Sequence, residues 1–196
     1  MNNSELLTNE DDLKYLNINN EELKEITIEN KTISNSEFNK TNFLNSSSNN
    51  LFLEKVIFNN CDLSNFKFND TNLREVEFNN CKLLGTYINN CHLTKVTINK
   101  SVAKYLNMID SKLKELTINN SNLEESNFYN NELSKTVFND VNFQRSEFYK
   151  TPLTGINLSN CNIDSIKITQ ESLKGIKVNT IQALDLVKLF DIDIVE

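Results

Sequence analysis

The side chains in this chain best suited to chemistry are four cysteines, Cys61, Cys81, Cys91 and Cys161, and a single histidine, His92. A thiol beside an imidazole can form a nucleophile and its base, and clustered thiols can hold zinc. The spacing argues against both. No two cysteines are in CxxC spacing, and one histidine cannot complete a Cys/His ligand set. Cys91 and His92 are consecutive, so in an extended segment their side chains leave opposite faces. With three glycines and no metalloprotease signature, the chain also lacks a phosphate-cradling loop. The expectation is a protein that is not an enzyme, with no catalytic, metal-binding or cofactor-binding residues.

The cysteine positions are explained by the elements that must carry them. From Leu13 to Val178 every fifth residue is large and apolar in one unbroken phase, through Ile18, Leu23, Ile28, Ile33, Phe38 and Phe43, then from Leu53 onward. Of 34 such positions only Ser48 is polar and only Ala103 is small, in a chain that is 38% hydrophobic. A period of five matches neither a helix nor a strand, so the chain turns a corner once per period. Each cysteine lies two residues before a central apolar residue, where other repeats place Thr71, Thr86, Ser101, Ser111, Ser121 or Ser126. The thiols therefore read as small, reduced core residues.

Written around its centre, the unit is small, polar, large apolar, polar, polar: Cys61-Asp62-Leu63-Ser64-Asn65, Thr71-Asn72-Leu73-Arg74-Glu75, Ser121-Asn122-Leu123-Glu124-Glu125. This resembles the pentapeptide repeat family, whose consensus reads A(D/N)LXX. The resemblance implies an all-β fold, a right-handed quadrilateral β-helix of about eight coils, with five residues per side and twenty per coil. A tail or cap over residues 1–12, the β-helix over 13–178 and a C-terminal element over 179–196 complete the expected organisation.

Twenty rather than ten is supported by the residues themselves, since Asn19, Asn39, Asn59, Asn79, Asn99, Asn119 and Asn139 recur at twenty. Amides stacked at the coil spacing can hydrogen-bond to one another. A second column, Lys55, Glu75, Lys95, Glu115 and Lys135, alternates in sign, and exposed pairs of this kind contribute little. The core is expected to be completely filled. Ser46–Asn50, with Ser48 at a centre, and residues 102–109, with Ala103 at a centre and Tyr105 and Ile109 as exposed candidates, are expected to form bulged or loosened coils.

A solenoid needs caps. After Val178, residues 180–190 read as a short helix with Thr180 as N-cap, and Ala183, Leu186, Val187 and Phe190 as one face. Leu184 and Leu189 widen that face, and Ile192 and Ile194 alternate like a terminal strand. This excess suggests a helix that covers the last coil and also meets a second subunit, and family members that dimerise through such an element favour the same reading. The candidate dimer residues are Leu184, Leu186, Val187, Phe190, Ile192 and Ile194; a plain cap is the alternative.

No apolar run has the length of a membrane span, and MNNSELLTNEDD lacks the basic and apolar regions of a signal peptide. The expectation is a cytoplasmic protein with no membrane, small-molecule or direct nucleic-acid partner, since no basic stripe appears. The family's best-known activity is mimicry of duplex DNA by an acidic rod that occupies a type II topoisomerase and protects it from quinolones. The net charge is −7, whereas about 40 Å of duplex would carry roughly 24 negative charges. Residues 1–45 carry net −5, residues 46–179 net +1 and residues 180–196 net −3, so acid is scarce along the body. Asp185, Asp191 and Asp193 are the candidate mimic residues of the tail. The competing reading is a protein-interaction scaffold, with Ile109, Tyr129 and Tyr149 forming an outward column at one-coil steps.

Overall fold

The coordinates are a computed structural model that describes residues 2–190, with the backbone alone for Phe190. Every strand pairing between neighbouring coils is parallel and joins residues twenty apart. The chain is thus a parallel β-solenoid with four sides per coil. The first side, centred on Leu23, Phe43, Leu63 and their successors, holds only isolated bridges such as Asn42↔Asp62 and Lys82↔Val102. The second side, centred on Ile28, Ser48, Phe68, Ile88, Met108, Phe128, Phe148 and Ile168, is an eight-stranded sheet. The third side, centred on Leu13, Ile33, Leu53 and onward, and the fourth, centred on Ile18, Phe38, Phe58 and onward, form one twelve-stranded sheet. Two long strands, Thr32–Asn39 and Phe52–Asn59, run around the corner between them.

The five-residue beat follows from the backbone. From Tyr15 to Gly155 every fifth residue has positive φ, including Asn60 at 55° and Lys100 at 48°, and this left-handed step turns the chain at each corner. Asn and Asp tolerate it with little strain and fill many of the corners. On the first side the Asp/Asn before the centre adds a second device: Asp62 Oδ1 accepts the Ser64 N–H at 3.0 Å, and Asn122 does the same for Glu124 at 3.0 Å. Inside, the small residues satisfy the corner backbone. Ser101 Oγ donates to Asn99 O at 2.9 Å and accepts the Cys81 N–H at 3.0 Å. Cys61 and Cys81 donate to the carbonyls of Phe38 and Phe58 across the corner.

Ser46–Asn50 is neither bulged nor loosened. Ser47–Asn49 is a strand in register with both neighbours, and Ser48 is fully buried, its Oγ 3.1 Å from Thr71 Oγ1. Leu51 and Phe66, at positions usually small, bring extra volume to these coils, and Phe66 lies 4.4 Å from Phe68 between ring centroids. The filling is incomplete. A cavity of about 20 Å³ remains, lined by Ile28, Phe43, Leu51, Phe66, Phe68 and their neighbours, which corrects the expectation of a fully packed core. Its wholly apolar lining gives water no partner. Residues 102–109 are equally regular, with Ala103 buried between Leu83 and Leu123.

Both ends carry helices. At the N-terminus α1 (Asn3–Asn9) has a capping box between Asn2 and Glu5 and buries Leu7 completely, so this end is a formed cap rather than a frayed tail. Near the C-terminus the coil changes at α2 (Gln170–Leu173), where Ser172 rather than Glu171 turns inward and accepts the Thr151 N–H at 3.1 Å. α3 (Thr180–Val187) follows, continued by a 3₁₀ turn, Lys188–Phe190. Its N-cap is Asn179 and not Thr180, because Asn179 forms a capping box with Gln182. Gln182 Nε2 also donates to Leu158 O at 2.9 Å and Cys161 O at 2.8 Å, so it closes the backbone of the last coil that no further coil can reach.

Candidate functional site

The second side gathers most of the exposed tyrosines of the rod. Its strands alternate, so Ile88, Met108, Phe128 and Phe148 point inward while the residues on either side point out. Tyr87 pairs with Asn107 and Ile109 with Tyr129, and Tyr129 in turn pairs with Tyr149. Tyr105 stands at the corner just before this side. Of the five tyrosines in the chain, four thus share one side, each between 42% and 47% exposed, and only Tyr15 lies elsewhere.

The geometry fixes these rings. Tyr129 and Tyr149 stack with centroids 5.3 Å apart and planes within 8°, so they present edges and hydroxyls outward. Lys150 Nζ lies 5.6 Å over the Tyr149 ring, and Lys104 Nζ lies 5.5 Å over Tyr105. Ile109 is half-buried beside the column. Between the rings runs a short amide ladder, Asn127 Nδ2 to Asn107 Oδ1 at 2.9 Å, and Asn107 Nδ2 to Tyr105 O at 2.8 Å. Rigid amphipathic rings lose little side-chain entropy when they are covered, and amides beside them adapt their hydrogen bonds.

Reading single columns in the sequence places Ile109, Tyr129 and Tyr149 together, misses Tyr87 and assigns the exposed Tyr105 to a loosened coil rather than to this side. Those two stand at other positions along the same side, and the signal that finds them is the twenty-residue fold of the sequence combined with the assignment of each position to a side.

Charge is handled differently. Among the described residues nine ion pairs join residues twenty apart, including Lys31–Asp11, Arg74–Glu54, Lys82–Asp62, Lys95–Glu75, Lys104–Glu124, Lys135–Glu115 and Lys167–Glu147. The two others are Lys112–Glu132 and Arg145–Glu125. Arg145 also pairs with Glu124. Most acids of the body are thus matched with a base on the adjacent coil. Lys104 and Arg145 hold the Glu124 carboxyl below its ordinary range, with the Lys104 hydrogen bond the larger cause.

The thiols and the histidine are not brought together. Cys91 is fully buried, its Sγ donating to Phe68 O at 3.4 Å and Asn89 O at 3.3 Å, and burial pushes its pKa up to about 11. His92 points outward on the third side. Burial also raises the Cys161 thiol, and all four cysteines are free. Among the described residues, no three His, Cys, Asp or Glu side chains are grouped to hold a metal.

At the C-terminal end, Leu186 is buried against the last coil and Val187 is half-buried, so both serve the cap, whereas Leu184 and Leu189 are exposed. Ile181, not singled out by the helical wheel, is 74% exposed. A groove of about 270 Å³ runs between α3 and the first side, lined by Ile163, Ile166, Ile181, Leu186 and Leu189 among others. Asp185 is exposed and bonds Lys188 at 2.8 Å. Asp191, Ile192, Asp193, Ile194 and the side chain of Phe190 lie outside the described residues. No helix among the described residues is long and apolar enough to cross a membrane.

The chain is similar to HetL, a pentapeptide repeat protein involved in heterocyst differentiation regulation from the cyanobacterium Nostoc sp. strain PCC 7120. That similarity is 16% identity over 85% of this chain and 86% of that one, with a TM-score of 0.49. It is also similar to QnrB1, a plasmid-mediated fluoroquinolone resistance protein, at 18% identity over 94% of this chain and all of that one, with a TM-score of 0.44. No curated protein sequence matches significantly. The family profile for a pentapeptide repeat region matches residues 51–128, and the profile for eight copies of the pentapeptide repeat matches residues 121–160. Together they span more than half of the chain and follow the beat that builds its coils: the chain belongs to the pentapeptide repeat family.

Proposed function

We propose that this repeat protein is a non-catalytic binding scaffold whose second side receives a protein partner. The observation that carries the reading is the gathering of Tyr87, Tyr105, Tyr129, Tyr149 and Ile109 on one flat side, beside amides that fix their spacing. Clustered exposed aromatics on an otherwise polar surface mark interaction sites. The absence of any thiol–imidazole contact and the neutral, tightly hydrogen-bonded coils support a role in binding rather than chemistry. Tyr129→Ala combined with Tyr149→Ala tests it: a partner held through this side is lost from the double variant while the thermal transition barely moves. A partner held equally well by the variant refutes the assignment of the face.

The second reading is modulation of a type II topoisomerase by imitation of duplex DNA, the kind of activity that would suit a relative of the fluoroquinolone resistance protein QnrB1. Its support is the rod itself, about eight coils at roughly 4.8 Å, together with the net charge of −7. The cross-coil ion pairs oppose it, because a base beside most acids of the body weakens the field a mimic must project. Purified protein assayed for inhibition of gyrase supercoiling and for rescue from quinolone decides the matter. No effect at micromolar concentration removes this reading and leaves the scaffold.

A further inference from the structure

On the second side Glu25, Glu29, Lys67 and Asp70 lie on the earlier coils, two or more coils away from the tyrosine stack, and enter no ion pair among the described residues. The charged groups bordering the stack itself fall into two kinds. Glu125 is held by Arg145 at 3.0 Å and Glu147 by Lys167 at 2.6 Å. Among the described residues, Asp110 and Lys150 are in no ion pair. Asp110 accepts only an amide hydrogen bond from Asn130, at 2.6 Å, and Lys150 leans over Tyr149. Both occupy the same corner, two coils apart, with Asn130 between them. At about 4.8 Å per coil they are about 10 Å from one another, too far to pair within one chain.

Their placement is symmetric about the coil of Tyr129. A two-fold axis lying across the second side at that coil keeps each residue's position along the side and reverses the order of coils. Asp110 then faces Lys150 of a second copy, and Lys150 faces its Asp110. The same operation sets Ile109 against the second copy's Tyr149 and Tyr105 against its Arg145, with Tyr129 meeting Tyr129 on the axis. Building on the assignment of this side as the binding face, we infer that its partner is a second copy of this chain, packed antiparallel, with Asp110 and Lys150 as the reciprocal charge pair. Such a contact is isologous and closes on itself, so it yields dimers and not fibres.

The overlap sets the strength. Five coils of one side amount to roughly 300–400 Å² per copy, below the roughly 800 Å² per partner of a standard stable complex. The dimer is therefore weak. It forms where the protein is locally concentrated.

Sedimentation equilibrium of the full chain from 10 µM to 1 mM at low salt tests the inference. Lys150→Asp sets carboxylate against carboxylate at both symmetric contacts and should weaken association at least tenfold, as should Asp110→Lys. The double variant Asp110→Lys with Lys150→Asp restores the pair with its signs exchanged and should recover the dimer. Both residue types already occupy left-handed corners, as at Lys100 and Asp140, and circular dichroism melts confirm that each variant folds. A wild-type chain that remains monomeric at 1 mM overturns the inference. So does a dimer indifferent to both single changes, which would place the contact elsewhere, for example at Ile181, Leu184 and Leu189. A monomer that still loses a separate protein partner on Tyr129→Ala with Tyr149→Ala would overturn self-association alone and leave the binding face in place.

Discussion

The second and fourth sides lie opposite one another, with the same parallel pairing and the same twenty-residue register, yet their outward columns do different things. On the fourth side Asn59, Asn79, Asn99 and Asn119 each donate Nδ2 to Oδ1 of the Asn one coil before, at 2.9–3.2 Å. The ladder ends where Asn160 takes Asn139 Oδ1 at 2.6 Å. At the matching positions of the second side stand Ile109, Tyr129 and Tyr149, whose rings stack but whose hydroxyls have no partner among the described residues. A column that satisfies its own hydrogen bonds stabilises the rod, and a column that leaves donors and ring edges outward is free to bind. One backbone thus carries two kinds of outward column, separated by the side chain at a single position per coil.

The largest effect should come from the layer beneath. Phe58 stacks between Phe38 and Phe78 at 5.1 Å on either side, behind the Asn ladder. Phe58→Ala should cost about 3–5 kcal/mol in urea denaturation. A loss below about 1 kcal/mol would mean that the inner stack is not continuous and that the sides are not supported by one core.

Next in size is an alkaline effect that reports on the thiol behind the second side. Cys91 donates to the Phe68 carbonyl and has a pKa near 11, against about 8.5 for an unfolded thiol. The unfolded chain therefore releases this proton first as pH rises. The stability contribution is complete below about pH 8.5 and is lost as pH climbs toward 11, by something on the order of 2 kcal/mol. Cys91→Ser should flatten that decline. An unchanged slope in the variant would assign the alkaline loss to other groups.

The outward columns themselves give the sharpest test of the contrast. Asn99→Ala removes two rungs of a part-buried ladder and should cost about 1–2 kcal/mol. Tyr129→Ala, on the other side, should stay within about 1 kcal/mol in the same melt while abolishing association through that face. Equal stability losses at the two positions would erase the distinction between a supporting and a binding column.

The sequence periodicity made some of this legible and hid the rest for physical reasons. A beat of five with identical residues at twenty exposes the coil, because stacked ladders reward repetition of one residue type. The inward thiols follow from the same register. Ser48 was misleading because its neighbours compensate outside the central column: Leu51 and Phe66 occupy positions where the pattern expects small residues, so a reading of centres alone sees only a defect. The N-terminal helix is too short to show a period, with Leu7 its one fully buried side chain. Asn179 and Thr180 are both good caps, and only the reach of Gln182 to the last coil decides between them. Tyr87 is missed, and Tyr105 is assigned to a loosened coil rather than to the second side, because a face is two-dimensional whereas a column is a line.

The smallest effect concerns the corners, which turn the chain in the same way at the ends of both sides. Lys100, at a fourth-side corner, holds φ of 48°, as does Asn120 one coil later. A lysine gains nothing from the left-handed region, whereas an asparagine side chain can hydrogen-bond locally and tolerates it. Lys100→Gly relieves strain of about 1 kcal/mol but also loosens the unfolded chain, so the net gain should be near 0.5 kcal/mol. Asn120→Gly should gain less or lose slightly. Gly85 supplies the opposite case at the corner that leads into the second side: a Cβ there would lie 2.7 Å from Asn65 Oδ1, so Gly85→Ala should destabilise even though Ala disfavours this φ no more than the lysine does. If thermal melts rank Lys100→Gly above Asn120→Gly and both above Gly85→Ala, the corners are governed by local backbone strain and clearance. The difference between the two sides then resides wholly in their outward columns.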